Sequence, residues 1–261
     1  MKLVADGLRL VFWRLTTDSH LTNHKPDFML ELLGGPARDV DALFYIDPDI
    51  CVNERWEYFE EWVSCGVALC EDMNSPLPSV HPRRVGWRQY FSNYGHLLQF
   101  REAAYVNGGY VGVKRENFPF IRLWKDLQLA MSDEIGGLDA TKLAGGATYK
   151  SKGFANCFES ADQDALNAAI EASDVTISVI GKEAMGFRAG SAVLPHAAGR
   201  YKPWAKQYLK SALQGIPPTS ADRAFWNYVG FPIASFDSGA ARYKEFTMKI
   251  ASLVGRSYRK Y

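Results

Sequence analysis

The most constraining stretch of this chain is residues 42–50, Ala-Leu-Phe-Tyr-Ile-Asp-Pro-Asp-Ile, an apolar run that ends in two carboxylates separated by one proline. Apolar residues bounded by acids read as a buried strand whose C-terminal end projects charge out of a sheet, where open α/β sheets bind their ligands. Pro48 keeps Asp47 extended, and side chains two apart in an extended chain share a face, so Asp47 and Asp49 can reach one hard cation. The same residues also read as a strand-ending Asx turn or a helix N-cap, which is the commoner meaning of Asp-Pro-Asp taken alone.

At 261 residues the chain can bury a sizeable core, and without a long linker it reads as one domain. A formal net charge of +1 gives no reason to expect nucleic-acid binding, so partners have to be argued from sites. Cys51, Cys65, Cys70 and Cys157 show neither a Cys-x-x-Cys pair nor zinc-like spacing, and read as reduced core thiols of a cytosolic protein. Asp6, Arg9 and Arg14 interrupt any signal-peptide core, and no stretch approaches the roughly 18 uninterrupted apolar residues of a membrane span. The expectation is a cytoplasmic chain, attached at most to the inner face of a membrane.

The remaining elements follow from periodicity. Strands are expected over residues 8–15, 65–70 and 174–180, with helices over 26–33, 55–63 and 118–131. Residues 74–101, rich in proline, serine and arginine without a clear period, suggest a long surface excursion. Asn107-Gly108-Gly109 reads either as a tight hairpin turn or as a glycine-opened backbone that a ligand can approach. Residues 136–153 are glycine-rich and ambiguous. Ser160-Ala161-Asp162-Gln163 fits a capping box. Val193-Leu194-Pro195-His196 ends another short apolar run, and residues 199–204 suggest either a loop closing over an anion or a packed turn. A last helix has Phe246, Ile250, Leu253 and Val254 on one face, followed by Arg256, Arg259, Lys260 and interleaved tyrosines. Such a tail can touch an anionic membrane or be an ordinary solvated terminus.

In order along residues 44–204, five pieces resemble the signature of glycosyltransferase family 8. They are the strand with Asp47-Pro48-Asp49, the strand ending at Asp72, Tyr105-Val106-Asn107-Gly108-Gly109, Asp162-Gln163-Asp164-Ala165-Leu166-Asn167, and His196-Ala197-Ala198-Gly199-Arg200-Tyr201-Lys202-Pro203-Trp204. The last two are the most specific.

The resemblance implies an α/β chain of GT-A type, a Rossmann-like mixed sheet flanked by helices over residues 1–215, with a helical basic and aromatic extension over 216–261. It implies a retaining, metal-dependent hexosyltransferase that moves a sugar from a nucleotide-sugar donor, UDP-glucose or UDP-galactose, to a glycan or glycolipid acceptor such as a lipooligosaccharide. Asp47, Asp49 and His196 would ligate Mn²⁺ or Mg²⁺, a hard ion suited to two carboxylates and an imidazole. Lys202 and the Gly199 backbone would clamp the diphosphate. Asn107, Gly108, Gly109 and Asp162 would hold the donor sugar, with Asp162 and Gln163 facing the anomeric carbon. A complete lobe of this type has two or more βα units ahead of the metal motif, and here 46 residues precede Asp47, so the base-binding part of the donor pocket is expected to be incomplete. The alternative is a catalytically inactive relative acting as a binding or assembly module.

Overall fold

The computed structural model describes residues 2–5, 8–139, 157–199, 201–230 and 234–258. The glycine-rich segment from residue 140 to 153, Arg200 and the tail residues Arg259 and Lys260 lie outside them. The chain divides into two compact units: residues 16–46 with 55–182, and residues 1–15 with 47–54 and 183–261.

The larger unit is mixed α/β. Among its described residues a four-stranded sheet runs in the order β3(Ala42–Ile46), β5(Val106–Lys114), β4(Val67–Glu71), β6(Ile177–Ile180), with β3 and β4 antiparallel to β5 and β6 parallel to β4. The alternation of strand side chains decides what covers each face. Val67, Leu69, Val111 and Val113 join one core with Ile121, Trp124 and Leu127 of α4(Phe118–Ile135) and Ala165, Leu166 and Ala169 of α5(Ala161–Glu171). On the other face Tyr110 stacks on Trp62 of α2(Trp56–Val63), centroids 5.1 Å apart, and Trp62 donates to Ser178 Oγ of β6 at 3.1 Å. Helix α4 stops at Gly136, whose left-handed φ of 84° costs glycine little. Helix α1(Lys25–Gly34) begins with Pro26 in its first turn, as its fixed φ favours, and ends at Gly35-Pro36.

Several expectations need correction. Residues 74–101 are not a continuous surface excursion, because residues 82–92 form a buried helix, α3(Pro82–Ser92). Its inward face carries Arg84 beside Trp87 and Phe91, and Arg84 pairs with fully buried Glu171 of α5. A paired arginine packs like an apolar residue but disguises the hydrophobic period. Asn107-Gly108-Gly109 makes no hairpin but lies inside one nine-residue strand, β5. Ser160 precedes α5, yet its hydroxyl caps no backbone amide. Asp164 reaches back to accept from Ser160 N at 2.9 Å instead, so the Ser160–Gln163 capping box does not form. Cys65 is exposed rather than core, and Cys51 is half-buried.

The smaller unit holds an antiparallel pair, β1(Lys2–Ala5) with β2(Leu8–Val11), and the helices α6(Tyr208–Leu213), α7(Ser220–Tyr228) and α8(Ser238–Tyr258). The strand at residues 8–15 is thus shorter than its apolar pattern. Helix α7 carries a complete capping box, Thr219 with Asp222, and Asp222 also binds Lys206 at 2.7 Å. Tyr208, Ala212, Trp226, Met248 and Ala251 form the core of this helical layer. Phe246 and Leu253 face outward from α8 instead of joining that core, a second departure from the pattern read off the sequence. No described helix is long and apolar enough to cross a membrane.

Candidate metal centre and a buried carboxylate cluster

In the smaller unit, residues 47–51 turn sharply, with Ile50 N donating to Asp47 O at 3.0 Å. Two backbone hydrogen bonds then tie this turn to the distant segment 195–197: Cys51 N to Pro195 O at 3.1 Å and Ala197 N to Asp49 O at 2.9 Å. They flank an isolated antiparallel bridge between Ile50 and His196. The bridge carries the site, because it fixes the histidine beside a turn lying some hundred and fifty residues earlier in sequence.

As a result one ligand atom from each of Asp47, Asp49 and His196 lies within 4.8 Å of the others. His196 Nε2 is 3.4 Å from Asp49 Oδ2, both side chains are nearly buried, and His196 Nδ1 has no hydrogen-bond partner among the described residues. Lys202 completes the group, its Nζ 2.5 Å from Asp49 Oδ2 and 3.2 Å from the Ala197 carbonyl. Burial alone would raise the Asp49 pKa. Hydrogen bonds and charge from His196 and Lys202 outweigh burial and hold it at about 2, so Asp49 is a carboxylate at neutral pH. Two hard oxygens and one borderline nitrogen at this spacing fit a divalent ion of the manganese or magnesium type. Gly199, with φ 113° and open space where a Cβ would stand, precedes Lys202 in the same loop and lets its backbone turn there.

The other predicted residues meet in the larger unit. Asn107 Nδ2 donates to Asp72 Oδ2 at 2.7 Å, and Asn107 Oδ1 accepts from Gly109 N at 2.9 Å. Gln163 Oε1 accepts from Gly108 N at 3.1 Å. Gly108 is required for close packing, since a Cβ there would stand 2.9 Å from Asp162 Oδ2. Asp162 Oδ2 is bound by Lys25 Nζ at 2.8 Å, and the same ammonium donates to the Gly108 carbonyl at 2.8 Å with both side chains almost fully buried. A buried ammonium is tolerable only with such partners.

Lys25 escaped sequence reasoning altogether. It is a lone lysine next to a proline, and its partner lies 137 residues away. Asp164, inside the motif, also has a structural role: it accepts from Tyr105 Oη at 2.8 Å and pairs with Arg83. Asn167 accepts from Val106 N at 2.8 Å and donates to Val106 O at 2.9 Å, which pins α5 to β5.

The chain matches no protein-family model, no curated protein and no solved structure. Its functional reading therefore stands on the residues and the geometry described above.

Proposed function

We propose that this chain is a metal-dependent sugar transferase of GT-A type, resembling glycosyltransferase family 8, that takes a hexose from UDP-glucose or UDP-galactose and passes it to a glycan or glycolipid hydroxyl with retention at the anomeric carbon. One observation carries the proposal: Asp47, Asp49 and His196, distant in sequence, present ligand atoms within 4.8 Å of one another, with Lys202 alongside. A divalent cation held there supplies Lewis-acid stabilisation of the charge that develops on the departing diphosphate. Lys202 contributes a second positive charge to the same oxygens, and the Gly199 backbone lets the loop approach them.

On the sugar side, Gln163 is an amide and a poor nucleophile, while Asp162 is neutralised by Lys25 in a buried ion pair. Both features favour front-face attack, in which the acceptor hydroxyl gives its proton to a phosphate oxygen of the leaving group and no glycosyl-enzyme forms. A covalent sugar adduct on Asp162 or Gln163, detected by mass spectrometry of protein quenched with donor, would sink that route.

The test of the main reading is Mn²⁺-dependent release of UDP from each donor, compared with Asp49→Asn, together with Mn²⁺ binding followed by electron paramagnetic resonance. Metal binding and UDP release that both vanish in the variant support the transferase. Metal binding without UDP release above background supports a second reading, an inert binding module. That reading draws on a specific feature: the polar atoms of Asn107 and Asp162 are already engaged by protein partners.

A further inference from the structure

The outward face of α8 carries a pattern that the metal centre and the buried carboxylates leave unused. Arg242, Phe246, Lys249, Leu253 and Arg256 succeed one another at steps of four, three, four and three residues, which keeps them on one side of an α-helix. All are exposed, Phe246 by 61% and Leu253 by 60%, and Tyr243 stands exposed beside them. Thr247, Met248 and Ala251 face the other way and are buried, Met248 and Ala251 packing with Tyr208 and Trp226. The helix is therefore anchored in its unit without the outer stripe. Folding supplies no reason for a phenylalanine and a leucine to stand in water there.

Charge narrows what covers the stripe. Helix α8 contains four bases, Arg242, Lys244, Lys249 and Arg256, against one acid, Glu245, which is half-buried at the edge of the stripe and leaves the helix with a clear excess of positive charge. Apolar and basic side chains alternate along it, so its complement must offer apolar depth and negative charge together over the length of a helix. A second copy packed antiparallel on the same stripe would bring Arg242 against Arg256 and Lys249 against Lys249, which like-charge repulsion opposes. A nucleic acid would satisfy the bases and leave Phe246 and Leu253 unused. An anionic bilayer meets both demands, with phosphates and carboxylates at its surface and hydrocarbon a few ångströms beneath.

We propose that α8 docks this protein on an anionic membrane surface, lying in the interface plane with Phe246 and Leu253 inserted among the acyl chains and Arg242, Lys249 and Arg256 on lipid headgroups. The inference rests on α8 and is independent of the transferase reading. The full-length chain is co-sedimented with vesicles of phosphatidylcholine alone and of phosphatidylcholine mixed with phosphatidylserine, at low and high salt. Partitioning is expected onto the mixed vesicles only, and it weakens with salt. Arg242→Glu, Lys249→Glu and Arg256→Glu combined lower it by ~100-fold or more. Phe246→Ala with Leu253→Ala lowers it by about tenfold. Circular dichroism and the melting temperature stay close to those of the parent, since every substituted side chain is exposed. Should the triple reversal fail to fold, Arg242→Gln with Lys249→Gln is read in its place. Equal binding to neutral vesicles, binding unchanged in the charge variants, or no binding by folded protein overturns the proposal. So does self-association that the Phe246→Ala, Leu253→Ala variant abolishes while vesicles are ignored, which would make the stripe a contact between copies.

Discussion

The turn at Asp47 and the strand segment at Asn107 both carry polar residues that the resemblance assigns to a ligand, yet their charged groups are arranged differently. Around Asn107 three buried acids meet cations of the same fold, Asp162 with Lys25, Asp164 with Arg83 and Glu171 with Arg84, while buried Asp72 is held by the amides of Asn107 and Asn74. Around Asp47 and Asp49 two carboxylates, an imidazole and the Lys202 ammonium come together, and His196 and Lys202 both approach the same Asp49 oxygen. The difference sets a structural network beside a candidate cation site, and it can be attacked from both sides.

The largest effect is expected in the structural network. Lys25→Ala strands the Asp162 carboxylate in a nearly closed pocket and should cost about 3–5 kcal/mol in denaturant unfolding. Lys25→Met combined with Asp162→Leu removes both charges and should recover most of that loss. A cycle in which the double variant is as damaged as the single one would show that the ion pair is not what holds α1 to β5. Gly108→Ala probes the same packing on a smaller scale. Its methyl group would press on Asp162 Oδ2, so about 1–3 kcal/mol is expected, with metal binding unchanged.

These two groups were unequally legible in the sequence, for physical reasons. Asp47 and Asp49 were singled out by their local spacing and His196 by the ordered family pattern, and the structure brings ligand atoms of all three within 4.8 Å of one another. Lys25 left none, because what makes it special is a partner on the far side of the chain. Helix α3 was hidden by its own arginines, which break the apolar period while lying buried against Glu171 and Asp164. Asn107-Gly108-Gly109 carried a strong local turn signal that tertiary pairing overrode: in β5 the Asn107 side chain is satisfied by Asp72, and Gly108 buys the close approach of α5. Three of the four sheet strands, β3, β4 and β6, and the long helix α4 were readable within a few residues at their ends, the strands as short apolar runs and the helix from its 3.6-residue period.

On the metal side, Asp49→Asn should lower Mn²⁺ affinity by ~100-fold or more, because it removes a ligand where loss of an outer-shell partner alone costs 10–100-fold. The same residue leaves a mark on stability in metal-free buffer. Its pKa is about 2 when folded, against 3.8 for the unperturbed group. The unfolded chain therefore binds the extra proton first as pH falls. The stabilisation, about 2 kcal/mol, is fully present above pH ~4 and lost as pH falls through ~2. Denaturant melts across that window should show the parent losing this increment and Asp49→Asn lacking it throughout. An unchanged difference between the two proteins at pH 2 and pH 5 would place the pairing energy elsewhere.

The smallest predicted effect discriminates best, because it has the opposite sign. Lys202 holds the Asp49 oxygen that an incoming cation needs, so in the absence of donor the ammonium and the metal compete for one carboxylate. Lys202 is about a third exposed, so the pair it makes is partly screened, and breaking it should cost only about 1 kcal/mol. Lys202→Ala should accordingly bind Mn²⁺ a few-fold more tightly than the parent in isothermal titration, while any UDP release it supports falls, because the diphosphate loses its clamp. A lysine that merely buttressed the loop would weaken both measurements together. A structural ion pair of the Lys25 kind would give lost stability and no tighter metal binding. Opposite shifts in metal affinity and turnover are expected only if Asp49 is shared between an internal cation and an external one.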